Sequence, residues 1–306
     1  MTDEGPRPDG DPADGAPGEL EGGDGTGFRS GFVALVGRPN VGKSTLLNRI
    51  LGTKVTIVSD KPQTTRHEIR GILSRDDTQI VFVDTPGVHK PRTALGERLN
   101  ETAAGARSGV DVVCLVIDGH SGYGSGDRYL ARELQPEQVV VVVNKIDGLA
   151  PPRVLAQLSA AAELDASAYF AVSAQTGKGV KDLVDHLAQR MPEGPHWYPE
   201  DVVTDVPDEQ WVAELVREQL LRATREEVPH SVATRVVEWA WPRVRVEILV
   251  ERDSQKGIVI GKGGAVLKDV GTRVRRQLPA GVFLELFVTV DRDWQRRPQS
   301  LDRLGY

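Results

Sequence analysis

A glycine-rich segment that follows an apolar run constrains the fold of this chain more than any other feature. The run is FVALV, residues 32–36, and the segment is GRPNVGKST, residues 37–45. The spacing GxxxxGK[ST] between a strand and a helix is that of a P-loop. Glycines let backbone N–H groups turn toward a phosphate, and the N-terminus of the following helix adds partial positive charge. The segment therefore predicts a site for a polyphosphate.

Two side chains of this loop have predicted chemical roles. Lys43 is expected to reach the β and γ phosphates, where its charge would be catalytic, and the Ser44 hydroxyl is expected to ligate Mg²⁺. The other loop residues predicted to contact the nucleotide are Gly37, Asn40, Val41, Gly42 and Thr45.

A carboxylate ends a second apolar run in VFVDTPG, residues 81–87. Parallel strands present their ligands at their carboxyl ends, so Asp84 is expected to lie near the P-loop. Asp84 then fits the role of holding Mg²⁺, and the Gly87 N–H is expected to sense the γ phosphate. Asp-x-x-Gly alone is a common turn, but its order and distance from the P-loop strengthen the prediction.

A third run, VVVVVNKID at residues 139–147, indicates which base is bound. The Asp147 carboxylate can accept hydrogen bonds from N1–H and the exocyclic amine of guanine, whereas the unprotonated N1 of adenine would face it with a lone pair. A site built on such bonds rejects the wrong base by about 10⁴ to 10⁵. Asn144 is expected to tie this loop to the P-loop, and Lys145 is expected to cover the base. A backbone N–H at Ser173 or Ala174 is expected to face guanine O6. The other predicted contacts on the base side are therefore Asn144, Lys145, Ser173 and Ala174.

The segment KPQTTRH, residues 61–67, separates the P-loop from Asp84. A threonine there can complete the metal shell only when a γ phosphate is present, which makes the segment a predicted switch. Thr65 is favoured for this metal-binding and catalytic role, and Thr64 remains the alternative. The predicted metal ligands are therefore Ser44, Thr65 and Asp84.

Val88 stands where Ras-type enzymes carry the glutamine that orients the attacking water. An apolar side chain cannot align water, so we expect slow intrinsic hydrolysis. Asn40 suggests a compensation, because its side-chain carbonyl could hold K⁺ against the phosphates and supply the charge of an arginine finger.

The order of strands and helices predicts two domains. Residues 31–191 read as a doubly wound, mostly parallel α/β domain, since several strands are continuous apolar runs. The proline-rich residues 192–206 read as a linker. Residues 207–306 show the order helix–strand–strand–helix–helix–strand and read as an α+β domain with a C-terminal extension. Residues 1–30 hold eight acidic and two basic side chains and are expected to be a disordered tail.

A Gly-x-x-Gly loop lies between the helical pieces of the second domain. KH domains clamp about four nucleotides of single-stranded RNA against such a loop. Residues 252–276 contain seven basic and two acidic side chains, which agrees with a phosphate-rich partner. The predicted RNA contacts are Gly261, Lys262, Gly263, Gly264, Lys256 and Lys268. Trp239 and Trp241 are interpreted as strand packing.

The amino-acid composition further restricts the class of protein to which this chain can belong. The net charge of −6 arises in the first thirty residues, so the global charge indicates no partner. A single cysteine, Cys114, excludes a disulfide framework and a cysteine-built metal site. Apolar runs such as residues 139–143 are far shorter than the roughly 18 residues of a spanning helix. We expect a soluble, cytoplasmic protein, and no feature requires more than a monomer.

Together these motifs resemble the Era family of bacterial GTPases, from about residue 31 to residue 306. The motifs are GRPNVGKST, KPQTTRH, DTPG, NKID, SAQTG, VREQLLRATREEVPHSV and VIGKGG. The resemblance implies a GTPase that uses GTP/GDP and Mg²⁺, and whose type II KH domain binds the 3′ end of 16S ribosomal RNA and assists assembly of the 30S subunit. It also implies a peripheral membrane association, which nothing in the sequence explains. The alternatives are an RNA-binding adaptor with a structural nucleotide site, or a GTPase acting on membranes or another RNA.

Overall fold

The computed structural model describes residues 27–88, 91, 93–224 and 227–306. Most of the predicted acidic tail, residues 1–26, lies outside the described residues. The first strand already begins at Arg29, so the first domain starts two residues before the predicted boundary.

The first domain is a six-stranded sheet with helices on both faces. Its elements are β1 (Arg29–Val36), α1 (Lys43–Leu51), β2 (Ile69–Arg75), β3 (Thr78–Asp84), α2 (Ala94–Gly105), β4 (Val112–Asp118), α3 (Ser125–Ala131), β5 (Val139–Asn144), α4 (Pro151–Ala161), β6 (Ala168–Ala171) and α5 (Val180–Arg190). The strand order is β2-β3-β1-β4-β5-β6. Only the β2–β3 pair is antiparallel among these strands.

Both faces of the sheet are covered, which explains the continuous apolar strands. Leu35 and Val142 belong to the core cluster that includes Leu46 of α1 and Leu183 of α5. Val141 lies in the opposite cluster, beside residues of α3 and α4. A central parallel strand buried on both faces needs apolar residues at successive positions, and all five valines of β5 have no exposed surface. The carboxyl edge of this sheet positions the site.

The predicted linker is anchored to the first domain. The Gln79 amide nitrogen donates to the Tyr198 carbonyl at 2.8 Å, and the Gln79 side-chain oxygen accepts from the Trp197 N–H at 2.7 Å. A bridge between Gly71 and Thr204 adds a further contact at the sheet edge. These bonds limit the freedom of the connection between the two domains.

The second domain has a three-stranded sheet with helices against both faces. Its elements are α6 (Asp208–Ala223), α7 (Val228–Ser231), β7 (Ala233–Ala240), β8 (Arg243–Val250), α8 (Asp253–Ile260), α9 (Ala265–Arg275), β9 (Phe283–Val290) and α10 (Pro298–Leu304). Helices α6, α8 and α9 pack against one face of the sheet and α10 against the other. The sheet order is β7-β8-β9, with β7–β8 antiparallel and β8–β9 parallel. This arrangement agrees with the predicted type II KH fold. Within the described residues, no helix is both long and apolar enough to cross a membrane.

Trp239 and Trp241 of this domain have different environments. Trp239 packs against the core cluster of the domain. Trp241 lies in the turn after β7 and is 52% exposed, so its interpretation as strand packing is wrong. Its ring instead contacts the Trp239 ring, with centroids 5.7 Å apart.

Two apolar contacts join the domains. Ile57, in the segment after α1, is buried within the core cluster of the second domain. Leu95 and Leu99 of α2 pack with Trp294 and Leu301. Both contact regions flank the predicted nucleotide-sensing segments, so the second domain touches the parts of the first that are expected to respond to a nucleotide.

Candidate nucleotide and RNA sites

A cavity of about 450 Å³ lies at the carboxyl edge of the first sheet. Its walls come from the P-loop, from the switch segment and from the loops after β3 and β5. The lining residues are Pro39, Asn40, Gly42, Lys43, Ser44, Thr45, Ile57, Val58, Ser59, Asp60, Gln63, Thr64, Thr65, Gly87 and Lys145. The structure thus brings together residues that the sequence separates by more than a hundred positions.

The P-loop presents cationic and N–H groups to this cavity. Gly42 has φ +98°, and a Cβ at this position would lie 2.4 Å from Asn144 Nδ2, so both conformation and space require glycine. α1 begins at the next residue without a capping side chain, which leaves helix N–H groups available to an anion. The Lys43 ammonium is buried and donates to the Gly37 carbonyl at 3.1 Å. Burial lowers the pKa of Lys43, and the nearby Asp84 carboxylate opposes this effect.

Three oxygen-bearing side chains meet beneath the P-loop. Ser44 Oγ lies 2.7 Å from Asp84 Oδ2 and 2.9 Å from Thr65 Oγ1. Burial raises the pKa of Asp84, while Lys43 and the neighbouring hydroxyls act to lower it. Within the described part of the chain, Asp84 Oδ1 is buried without a hydrogen-bond partner.

This cluster fits Mg²⁺, which is a hard cation that prefers oxygen ligands. A buried carboxylate oxygen without a partner is costly unless it meets a cation or a donor. Ser44, Thr65 and Asp84 would hold the ion, and the ion would neutralise charge on the β and γ phosphates. The Thr64 hydroxyl instead donates to the Lys61 carbonyl at 2.6 Å. The geometry therefore favours Thr65 over Thr64.

The base-side residues form one hydrogen-bonded unit. Asn144 Nδ2 donates to the Val41 carbonyl at 3.0 Å, which ties this loop to the P-loop. Ser173 Oγ donates to Asp147 Oδ1 at 2.7 Å. The Ala174 N–H, a candidate for guanine O6, donates to Asn144 Oδ1 at 3.0 Å in this structure. An O6 contact from Ala174 would therefore require this bond to be shared or exchanged.

Asp118 is a functional candidate that the sequence reasoning missed. Its Oδ2 accepts from Lys145 Nζ at 2.8 Å, and Lys145 Nζ also donates to the Asn40 carbonyl. Burial acts to raise the pKa of Asp118, but the bonds from Lys145, His120 and Ser121 outweigh it and the pKa is lowered. The available signal was its position, since Asp118 ends an apolar strand, as Asp84 does.

Arg38 is a second residue that the motif analysis overlooked. Its Nε donates to the buried Asp127 Oδ1 at 2.9 Å, and its guanidinium reaches the Gly122 carbonyl at 3.1 Å. These bonds join the P-loop to the N-terminal part of α3. The x positions of the P-loop pattern carry no signal for such a contact.

Asn40 and Val88 are residues that the sequence connects with the rate of hydrolysis. Asn40 has φ +63°, and its Nδ2 donates to the Asp60 carbonyl at 2.7 Å. This bond uses the amide nitrogen and not the carbonyl oxygen on which the potassium hypothesis depends. Val88 packs against the apolar cluster on one face of the sheet.

The Gly-x-x-Gly loop separates α8 from α9. Gly261, Gly263 and Gly264 all have positive φ values, of +73°, +60° and +78°. A Cβ on Gly261 would lie 2.5 Å from Val266 Cγ2, whereas no atom lies within 4 Å of the corresponding positions on Gly263 and Gly264. The backbone of a ligand can therefore approach the loop closely at Gly263 and Gly264.

Three lysines surround this loop. Lys256 lies on α8, Lys262 within the loop and Lys268 on α9, and the last two are exposed. Arg273 pairs with Asp269 at 2.9 Å, and within the described residues the three lysines form no such ion pair. This patch keeps its positive charge available to phosphates.

The P-loop, the metal-facing oxygens and the Asn144–Asp147 loop define a P-loop GTPase, and the second domain defines a KH module. Family comparison agrees with both: the family described as "50S ribosome-binding GTPase" matches residues 32–145, and the family "KH domain" matches residues 227–295. GTPase Era of Mycobacterium tuberculosis (strain ATCC 25618 / H37Rv) is 49% identical over 300 residues, which cover 92% of this chain and 100% of that protein. GTPase Era of Mycobacterium avium (strain 104) is 48% identical with the same coverage. The chain belongs to the Era family of GTPases.

Two solved structures are similar over almost the whole of their chains. A crystal structure of Era in complex with MgGDPNP and nucleotides 1506–1542 of 16S ribosomal RNA has a TM-score of 0.87 and 37% identity, covering 91% of this chain and 99% of that one. A crystal structure of an Aquifex aeolicus Era variant bound to GDP.AlF4− has a TM-score of 0.87 and 38% identity with the same coverage. The predicted fold class and family are confirmed.

Proposed function

We propose that this protein is a GTP-binding and GTP-hydrolysing switch that binds the 3′ end of 16S ribosomal RNA through its KH domain and assists assembly of the 30S subunit. The observation that carries the proposal is the meeting of Ser44, Thr65 and Asp84 beneath a P-loop whose lysine is buried. A polyphosphate with a bound cation fits these groups together, since the cation would meet Asp84 Oδ1, which has no hydrogen-bond partner among the described residues, and the phosphates would meet Lys43.

The residues divide the nucleotide chemistry among them. Lys43 and the α1 N-terminus stabilise negative charge on the phosphates. Asp147 selects guanine, and Ser173 holds its carboxylate in place. Lys145, held by Asp118, positions its aliphatic stem at the base. The GDP.AlF4− and MgGDPNP complexes of related Era proteins support GTP and Mg²⁺ as the ligands.

The RNA proposal rests on the KH domain. The open Gly-x-x-Gly loop and its unpaired lysines fit a single-stranded phosphate backbone. The Era structure with nucleotides 1506–1542 of 16S ribosomal RNA supports this RNA as the partner. We place the protein in the cytoplasm as a monomer; association with the membrane surface stays a prediction of the family resemblance.

A pair of threonine variants tests the nucleotide site. Thr65→Ala removes an oxygen next to Ser44 and Asp84, so we expect Mg²⁺-dependent binding of a non-hydrolysable GTP analogue to weaken by at least about tenfold and phosphate release to be lost. Thr64→Ala, the matched control, removes only a bond to the Lys61 carbonyl and should retain most of both properties. Fluorescent-nucleotide titrations at several Mg²⁺ concentrations measure the difference.

A phosphate-release assay with GTP, run beside these titrations, separates the proposal from the adaptor alternative. A wild-type protein that binds GTP but releases no phosphate, with or without RNA, would have a structural nucleotide site. Equal loss in Thr64→Ala and Thr65→Ala would contradict the assignment of Thr65 to the metal.

A further inference from the structure

Helix α6 of the KH domain contacts residues between 54 and 64 of the GTPase domain, which lead into the switch segment. Glu218 of α6 accepts from Lys54 Nζ at 2.7 Å and from the Val58 N–H at 3.1 Å. Ile57, between them, is buried in the KH core cluster. The segment that approaches the nucleotide with one side therefore rests on the other domain with its opposite side.

Arg217 extends this contact to the switch threonines. Its side chain has no exposed surface. Arg217 Nε donates to Glu214 Oε1 at 2.8 Å, and Nη2 donates to both the other Glu214 oxygen and the Thr64 carbonyl. Glu214 thus orients the guanidinium, and the guanidinium holds the backbone one residue before Thr65.

Arg66 holds the backbone on the other side of Thr65. Its side chain points into the KH domain, where Nη1 donates to the Val232 carbonyl at 2.8 Å and Nη2 to the His230 carbonyl at 3.3 Å. The guanidinium lies 5.6 Å from the Trp294 ring centroid and 5.8 Å from that of Tyr306. Both chain neighbours of the metal-facing threonine are therefore fixed by the second domain.

We propose that Arg217 and Arg66 are positioning residues through which docking of the KH domain holds Thr65 toward the metal site. The inference rests on the proposed function of that site and names the residues that join it to the RNA-binding module. A docked KH domain then favours the triphosphate form of the nucleotide. By thermodynamic linkage, the triphosphate favours the docked arrangement to the same extent.

The docking contact between the two domains carries an energetic cost that favours its reversal. Arg66 Nε and Arg217 Nη1 are buried without a hydrogen-bond partner within the described residues. Burying a cation without satisfying all its donors is costly, and separation of the domains would return these groups to water. The docked and separated states can then be close enough in free energy for a nucleotide to change their balance.

Three variants of α6 test the proposal. Arg217→Lys keeps a positive charge beside Glu214 but loses the planar fork with which Nε and Nη2 bind both Glu214 oxygens and the Thr64 carbonyl. Glu214→Leu with Arg217→Met removes both charges together, a change that is often neutral for stability when the replacements pack well. Arg222→Ala is the control: Arg222 lies on the same helix, its side chain is 52% exposed, and its partner is Glu218 at 3.2 Å.

The readouts are affinities measured with purified full-length protein and Mg²⁺. We expect the affinity for a fluorescent non-hydrolysable GTP analogue to fall about tenfold in both Arg217 variants, while GDP affinity stays within about twofold of wild type and Arg222→Ala resembles wild type. The ratio between the affinities for a 16S 3′-end RNA in the analogue-bound and GDP-bound states should approach one in the Arg217 variants.

Two results would be decisive against this account. Wild-type analogue affinity and an unchanged RNA ratio in both Arg217 variants would overturn the positioning role. A wild-type protein that binds neither nucleotide would instead contradict the proposed function itself.

Discussion

At the scale of single residues, the site depends on a few atoms that strand ends bring together. Asp84 and Asn144 each end a buried parallel strand, so the sheet places them at one edge. Their surroundings differ. Asp84 is buried beside Lys43, whereas both polar side-chain atoms of Asn144 form hydrogen bonds to neighbouring loops. Asp84 is therefore suited to bind a cation, and Asn144 is suited to connect the loops.

Asp147 gives a test of base selection. Replacing Asp147 with Asn removes the acceptor for the guanine N1–H and amine, at a cost of about 1.5–3 kcal/mol for a lost bond to a charged group. The amide supplies a donor for a xanthine carbonyl, so Asp147→Asn should bind GTP weakly and accept xanthosine triphosphate. Competition titrations with the two nucleotides measure this change, and unchanged guanine selectivity would remove Asp147 from its role.

Asn40 gives a test of the potassium hypothesis. A cation held by its side-chain oxygen would supply charge that arginine fingers supply elsewhere, where they accelerate hydrolysis by 10³ to 10⁵. We expect GTP turnover to be at least about tenfold faster in potassium than in sodium buffer at equal ionic strength, and Asn40→Ala to lose the difference. Identical wild-type rates in the two buffers would eliminate the hypothesis.

At the scale of elements, periodicity and turn chemistry predicted most of the fold. The strand predicted at residues 139–143 is β5, because a strand buried on both faces leaves an uninterrupted apolar run. The helical pieces predicted on either side of the Gly-x-x-Gly loop are α8 and α9.

What sequence could not predict lies between distant elements. The bond from Arg217 to the Thr64 carbonyl joins positions 153 residues apart. No local pattern marks such a pair, because an arginine within an amphipathic helix is usually solvated. The Lys145–Asp118 pair joins positions 27 residues apart; the position of Asp118 at the end of an apolar strand marked it as a candidate, but no local pattern marked its partner.

The Gly-x-x-Gly loop gives the test at this scale. Gly261→Asp with Gly264→Asp places side chains and negative charge where the RNA backbone would approach, and both positions have positive φ. We expect binding to a 16S 3′-end RNA to fall by at least about 100-fold, whereas GTP affinity should stay within about twofold of wild type, since the loop lies outside the nucleotide cavity. Fluorescence anisotropy with labelled RNA and labelled nucleotide measures both; equal RNA affinity would refute the KH assignment.

At the scale of the whole molecule, the two domains meet at the segments that a nucleotide is expected to move. The switch segment contacts α6, and α2 packs on Trp294 and Leu301. The linker is also bonded to β3 and to the edge strand β2, which limits the positions the second domain can take. A signal between the RNA and the nucleotide therefore has a short physical route through Thr64, Thr65 and Arg66.

The most direct test of this account is GTP hydrolysis in potassium buffer with and without a short RNA matching the 3′ end of 16S ribosomal RNA. RNA that stabilises the docked arrangement should order Thr65 and raise the turnover rate, by about 5-fold or more. Phosphate release and RNA binding are measured on the same samples. Stimulation is the predicted result; full RNA and GTP binding with an unchanged hydrolysis rate would contradict the claim that the two domains act as one switch.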